Sequence, residues 1–370
     1  MNPLRGRGSS AEVLLKRSAC LVFSFENDGL RCTNYLTGIT VASTPILVAV
    51  LNLFDRWREP DETYLLLRRY SQASVRSTLR QLLEHTLLIK KDSAQANREE
   101  GLALWDVWDL EARFFHFATK RAFRLGVPLP DDPKLNHALL RKSPQPDLIK
   151  RYRSADHVVL PSPVPSLNSE FPRVLLGRRT IREFGQGSVS REHLSVLLWL
   201  TWGVTGWLQW PGLGKLILKT SPSGGARHPI EVYCWALRVR GLPPGVYHYR
   251  GDRHYLERLQ KGARSARIVE LCACQEWVRN CAALFVMTAV FNRVMWRYTF
   301  SRAYRTILLE AGHFCQTFCL TATWLRLAPF CTAALVDQEI ETELGLDAAS
   351  ESVLYAAGIG VKNKTAASGG

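Results

Sequence analysis

A chain of 370 residues with 46% apolar side chains can bury sizeable cores and favours two or three domains, which excludes a disordered or fibrous protein. Its formal net charge of +15 predicts attraction to anionic partners: phosphorylated cofactors, acidic peptides, acidic carrier proteins or nucleic acid. Nine cysteines, an odd number without regular spacing, exclude a disulfide framework and fit a reducing compartment, so a cytoplasmic protein is expected.

The basic stretch Met1 to Lys16 lacks the apolar core and small-residue cleavage site of a signal peptide. The most membrane-like run, Tyr35 to Phe54, is broken by Thr37, Thr40, Ser43, Thr44, Pro45 and Asn52, so no membrane span is expected. It predicts instead a soluble helix from about Pro45 to Trp57, capped by Ser43 or Thr44. Residues 1–125 read as a winged-helix-like unit: a strand from Ala19 to Phe25, a turn at Asn27-Asp28-Gly29, three helical patterns, and a short strand at Leu87 to Ile89. In the third helix Ser74 is the expected cap, Val75, Leu79, Leu82 and Leu83 recur at helical spacing, and Arg76 and Arg80 fall on the other face. Such a unit serves peptide or partner recognition as well as DNA binding, because fold alone does not settle function, and nucleic acid is the less favoured partner. Trp105, Trp108, Phe114, Phe115, His116 and Phe117 predict a helix packed on two surfaces as core; only Glu111 lies near His116 at ligand spacing, so no metal is expected there. Eight prolines between Gly126 and Pro165 predict a linker over 126–165, ahead of a domain over 166–370.

A helix from Phe171 to Leu176 leads to Arg178, Arg179 and Arg182, three guanidinium groups around Thr180 and Ile181. Forks this close repel one another unless an anion lies between them, and a phosphate rewards planar bidentate donors; a solvated basic turn is the other reading. A helix from Ser190 to Gly203 follows, and then the loop Ser221 to Pro229, where Gly224 and Gly225 would let backbone approach a flat ligand. Beyond it the pattern predicts a strand from Ile230 to Val239, a hairpin from Gly245 to Leu256, a buried strand from Ala282 to Val290, and a long helix from Tyr304 to Leu325, polar at Glu310, His313 and Gln316. A last strand from Ser352 to Gly360 runs into Lys362. Cys315 and Cys319, one helical turn apart, could share a metal with Cys272 and Cys274, but close C-x-x-C pairs are missing and no metal is expected.

In order along the chain, Arg178 to Arg182, Pro222 to Pro229, Gly245 to Tyr249, Arg293 to Tyr298 with Tyr304-Arg305, Leu309 to His313 and Leu344-Gly345-Leu346 form a series of motifs. Together they resemble the nitroreductase superfamily, and within it the flavin-dependent dehydrogenases of the SagB and ThcOx type, which oxidise azoline rings in ribosomal peptides. The resemblance covers about Phe171 to Lys362, and Asn34 to Gly38 and Phe114 to Lys120 look like the extension of longer members. It implies an α/β (α+β) nitroreductase fold, a mainly antiparallel sheet flanked by helices, working as a homodimer with FMN at the subunit interface. Arg178, Arg179, Thr180 and Arg182 would hold the FMN phosphate, with Lys362 as a second contact, while Pro222, Ser223, Gly224 and Gly225 would line the isoalloxazine.

The family carries a catalytic Lys-Tyr pair after the Trp of this motif, where this chain has Arg297-Tyr298. Arginine stays protonated and cannot take a proton, so Tyr298 is the expected general base and Arg297 its electrostatic partner or a clamp for a substrate carbonyl. Glu310 and His313 are runner-up bases, and a structural reading makes Trp296 and Tyr298 core aromatics. The implied activity is FMN-dependent oxidation of an azoline to an azole in a peptide or carrier-protein-bound substrate, with O2 as final acceptor and a biosynthetic complex partner. The alternatives are an NAD(P)H-dependent nitro or quinone reductase, a desaturase of another peptidyl or carrier-bound substrate, and a regulatory winged-helix protein with a degenerate flavin domain.

Overall fold

The structure is a computed structural model, and it describes residues 13–26, 29–120, 169–211 and 214–363. The chain divides into two compact units, Met1–Arg121 and Ala122–Gly370. The expected linker over 126–165 and the turn residues Asn27 and Asp28 lie outside the described residues.

In the first unit, strands β1 (Leu15–Arg17), β2 (Leu21–Glu26), β3 (Gly29–Asn34) and β4 (Ile39–Ala42) precede helices α1 (Pro45–Leu53), α2 (Pro60–Leu66) and α3 (Gln72–Glu84). Then come β5 (Leu88–Lys90), α4 (Ala94–Glu100), a 3-10 turn over Gly101–Trp108 and α5 (Asp109–Thr119). β2, β3 and β4 form an antiparallel meander, and β1 pairs with β5. Four strands stand before the helices where the sequence predicts one, because Arg31 and Thr33 in β3 and Thr40 in β4 mask short strands as loop.

Helix α1 starts as expected, with Thr44 Oγ1 accepting from Leu47 N at 3.3 Å, but it ends at Leu53 rather than Trp57. The cap of α3 is Ser71, whose Oγ accepts from Ser74 N at 3.1 Å; the expected cap, Ser74, sits inside the first turn. Both serines can cap, and the earlier one gains a turn of helix while leaving Val75, Leu79 and Leu82 on the buried face. These side chains close a core with Leu15, Cys32, Val50, Leu51, Phe54 and Leu88.

Asn34 explains the Asn34 to Gly38 motif. Its amide is buried and donates to Thr86 O at 2.7 Å and to Ser18 Oγ at 3.1 Å, while its Oδ1 accepts from Leu36 N and Thr37 N. His116 is a core residue stacked on Trp105 at 4.9 Å between centroids, and burial, helped by the charge of Lys120, pushes its imidazole well below the ordinary range.

The second unit begins with α6 (Glu170–Gly177), β6 (Phe184–Gly185), β7 (Val189–Ser190), α7 (Arg191–Trp202), and the hairpin β8 (Gly206–Trp210) and β9 (Gly214–Leu218). It continues through β10 (Ile230–Ala236), β11 (Val239–Arg240), β12 (Gly245–Arg250), β13 (Tyr255–Lys261), α8 (Ser265–Leu271) and β14 (Ala283–Val290). It ends with α9 (Asn292–Met295), α10 (Ala303–Trp324), β15 (Leu327–Thr332), α11 (Asp337–Leu344) and β16 (Glu351–Lys362). The main sheet runs β13-β12-β10-β14-β16-β15, antiparallel throughout, with β6 pairing the end of β16. This is the mainly antiparallel sheet with flanking helices that the sequence predicts.

Alternation in β14 sorts the two faces. Leu284 and Val286 join Ile268, Leu271 and Ile340 from α8 and α11, while Phe285 packs on Trp202 of α7 and Phe318 of α10 at 5.8 and 5.1 Å between centroids. Strand β15 holds Pro329, which removes a ladder donor, and the sheet tolerates it because β15 is an edge. Gly345 takes the left-handed conformation (φ 67°) that ends α11, which accounts for the Leu344-Gly345-Leu346 motif. Among the described residues no helix is long and apolar enough to cross a membrane.

Candidate functional site

Beyond α6 the chain extends at Arg178, and Ile181 N donates to Pro329 O at 2.9 Å, fastening the arginine segment to the edge strand β15. Three residues later Phe184 pairs with Lys362, so Arg178, Arg179, Thr180, Arg182 and Lys362 gather at one end of the sheet. Arg179 donates to the carbonyls of Leu176 and Arg178 at 2.9 and 2.8 Å, and Arg182 lies over the Trp277 ring at 5.3 Å. Thr180 and Arg182 are exposed. Among the described residues no carboxylate pairs with any of these four cations. Four cations brought into one stretch of the fold without an acidic partner among the described residues fit a phosphate group.

The second group is a loop laid along α10. Ser221 Oγ bonds Thr317 Oγ1 at 2.8 Å, Pro222 O faces His313 Nδ1 at 3.4 Å, and Ser223 Oγ accepts from His228 N at 2.9 Å. Gly224 presses on α10 so closely that a β-carbon there would lie 2.7 Å from Thr306 Cγ2. Gly225 has a positive φ of 62°, and a β-carbon there would collide with the Tyr298 hydroxyl and sit 3.2 Å from Tyr298 Cζ. The fold therefore joins two sequence-predicted elements, the Pro222 to Gly225 loop and Tyr298. Arg297 completes the arrangement with its guanidinium over the Tyr298 ring at 5.6 Å.

Trp296 is 63% exposed and lies under the guanidinium of Arg227 at 5.3 Å, so the reading of this motif as core aromatics fails. The short helix α9 turns Val294 and Met295 inward and leaves Trp296 and Arg297 on the open side. Glu310 is only 2% exposed and lies beneath the loop. Its Oε1 faces His228 Nδ1 at 3.6 Å, beyond hydrogen-bond reach, and neither atom has a hydrogen-bond partner among the described residues. His313 is exposed.

Sequence reading missed the polar cluster behind this loop. Lys219 lies over the Phe314 ring at 5.5 Å, and burial holds its ammonium below the ordinary value. Glu231 accepts from His248 Nε2 at 3.0 Å and pairs with Arg293 at 2.5 Å; the other imidazole nitrogen of His248 meets Glu257 at 2.8 Å. No linear spacing announces these pairs, because β10 and β12 bring Glu231 and His248 together only through strand register.

The arginine end and the loop do not converge within one chain. Thr306 lies against the loop, whereas the charge of Arg178 acts on Cys319 and Cys331. The loop runs along one face of α10, from Thr306 past His313 to Thr317, whereas Cys319, 13 residues and roughly three and a half turns beyond Thr306, lies on the opposite face of the helix.

The sequence profile of the Nitroreductase family matches residues 175–361. The chain belongs to the nitroreductase family. The trifolitoxin-processing protein TfxB of Rhizobium leguminosarum bv. trifolii is 31% identical over 147 residues, 39% of this chain and 39% of that protein. The trifolitoxin operon protein TfxC of the same organism is 23% identical over 295 residues, 77% of this chain and 81% of that protein. The E. coli microcin synthetase McbBCD complex with truncated pro-MccB17 bound contains a chain of which 99% matches 74% of this nitroreductase-family member, with TM-score 0.51 and 20% identity, a shared fold.

Proposed function

We propose that this chain is an FMN-dependent dehydrogenase that oxidises an azoline ring to the azole in a peptide natural-product precursor. The observation that carries the reading is the Tyr298 hydroxyl seated against Gly225, with Arg297 across its ring. The family match, the name of TfxB as a trifolitoxin-processing protein and the bound pro-peptide of the microcin complex support it. FMN, when bound, supplies the hydride acceptor, with O2 as the final oxidant. Arg178, Arg179, Arg182 and Lys362, with Thr180 between them, hold its phosphate; Pro222 to Gly225 present backbone to its ring system. Tyr298 takes the proton from the carbon next to the one that loses hydride, and the Arg297 cation favours the phenolate so formed. Residues 1–125 recognise the peptide or a biosynthetic partner, joined by the linker over 126–165 to the flavin domain over 166–370.

Because the phosphate end and the loop lie on opposite faces of α10, each site is composite, built from the arginines of one chain and the loop and Tyr298 of a second copy. The apolar groove between α6 and α10, lined by Phe171, Val174, Leu320 and Trp324, gives that second copy something to bury. Full-length protein purified in air is expected to be yellow and to remove two hydrogens from an azoline-containing peptide, read by mass spectrometry. Tyr298→Phe should keep the flavin and lose turnover. Mixing an Arg178→Ala chain with a Tyr298→Phe chain should restore activity, since one of the two composite sites is then intact. Rapid bleaching of the flavin by NADPH with no change in the peptide would replace this reading with that of a nitro or quinone reductase.

A further inference from the structure

Helix α10 carries Cys315 and Cys319 one turn apart on the face that meets the sheet, and strand β15 presents Cys331 to the same space. The three Sγ atoms all lie within 4.8 Å of one another. The sequence reading paired the helix thiols with Cys272 and Cys274, but Cys272 packs in the core on the other face of the sheet, beside α8. The third thiol is Cys331, invisible to spacing arguments because the turn after Trp324 brings it back alongside the helix. Tyr355, on the neighbouring strand β16, lies beside Cys331, and the charge of Arg178 reaches both Cys319 and Cys331.

We propose that Cys315, Cys319 and Cys331 form a zinc site, with the Tyr355 hydroxyl or a water in the fourth position. Thiolate ligands at about 2.3 Å from a tetrahedral ion stand roughly 3.8 Å from one another, so the cluster needs to contract by no more than about 1 Å. Three thiolates and Zn2+ leave a net charge of −1, which the nearby positive charge of Arg178 offsets in part. Binding exchanges the thiol protons for the metal: three S–H bonds are replaced by three Zn–S bonds and the protons leave to solvent. Cys315 and Cys319 are buried, and Cys331 is partly exposed, which gives the ion an entry path.

The test uses the full-length chain, reduced with a non-chelating phosphine and titrated with Co2+ and then Zn2+. The expected result is a thiolate-to-cobalt charge-transfer band that zinc abolishes, with one metal per chain by elemental analysis. The band should vanish in Cys331→Ser and persist in Cys274→Ser, the change at the other partly exposed thiol. Zinc should also protect Cys315, Cys319 and Cys331 of the unaltered protein from alkylation, mapped by peptide mass, a readout that needs no variant to fold. Absence of the band, its survival in Cys331→Ser, or unprotected thiols in zinc would each overturn the site. Flavin content does not enter these readouts, so the outcome is independent of the proposed activity.

Discussion

The contact between Gly225 and Tyr298 can be tested before any substrate is known. Gly225→Ala introduces two separable costs: a non-glycine residue at φ 62°, about 1–2 kcal/mol, and a β-carbon driven into the Tyr298 hydroxyl, about 1–2 kcal/mol more because the ring must move. A loss of roughly 2–4 kcal/mol in a domain of this size lowers the melting temperature by about 5–12 °C. In a Tyr298→Phe background the oxygen that the β-carbon meets is gone, while Cζ and Cε2 at 3.2 and 3.3 Å remain in tight but tolerable contact. The second cost should then shrink and only the backbone strain remain, giving a coupling of about 1 kcal/mol in a double-mutant cycle read by thermal unfolding of the four proteins. Additivity within about 0.5 kcal/mol would mean that the hydroxyl does not rest on this loop, and would remove the geometric support for Tyr298 as the base.

Arg182→Gln should weaken FMN about tenfold to a hundredfold, the worth of one charge-assisted bond of about 1.5–3 kcal/mol, read by recovery of flavin fluorescence on dilution; unchanged affinity would return the cluster to solvent. Arg297→Lys separates two roles: if the guanidinium clamps a substrate carbonyl, KM rises with kcat kept, and if only its charge matters, lysine preserves both while Arg297→Gln lowers kcat. Burial disfavours the charge on His248, yet Glu231 and Glu257 hold its imidazole above the ordinary value, so its contribution is full below about pH 6.5 and fades as pH rises through the folded value. Both carboxylates are held below their ordinary values, and their contribution fades as pH falls through those lowered values. Melting temperature should therefore decline on the alkaline side more steeply in the parent than in His248→Gln, and parallel slopes would refute the assignment. Asn34→Ala removes two donors and one acceptor from a buried turn and should cost roughly 2–4 kcal/mol, read as faster amide exchange at Leu36 and Thr37.

Much of the second unit could be read from the sequence because its elements are long and strongly patterned. The apolar run of β14, the polar positions of α10 and the Ser190 cap, whose Oγ accepts from His193 N at 3.1 Å, lie where local chemistry predicts them. Strand β15 stayed hidden because Pro329 and Cys331 dilute its pattern, and only the edge position makes that proline acceptable. In the first unit Ser71 and Ser74 are equally good caps by type, and the packing of Val75 decides between them. The candidate site was legible as motifs but not as a geometry. Nothing in the order Arg178, Gly225, Tyr298 reveals that the last two touch while the first stands on the other side of a helix.

That separation bears on how freely the residue beside Tyr298 can vary. Groups with no shared partner act additively, and the loop and the cysteine face that the Arg178 charge reaches lie on opposite sides of α10. A change at Arg297 should therefore leave flavin retention by the proposed phosphate site at Arg178, Arg179 and Arg182 unaltered, read from the flavin content of the purified Arg297→Lys protein. The same helix sets the limits of that freedom. Thr306 and Thr317 fix the loop on its outer face, while Cys315 and Cys319 meet the sheet on its inner face, so a shift of α10 would disturb both at once. Variation should accordingly be concentrated at the exposed positions Trp296, Arg297, Thr299 and Phe300, which follow the short helix α9, whereas Tyr298 is half-buried against Gly225.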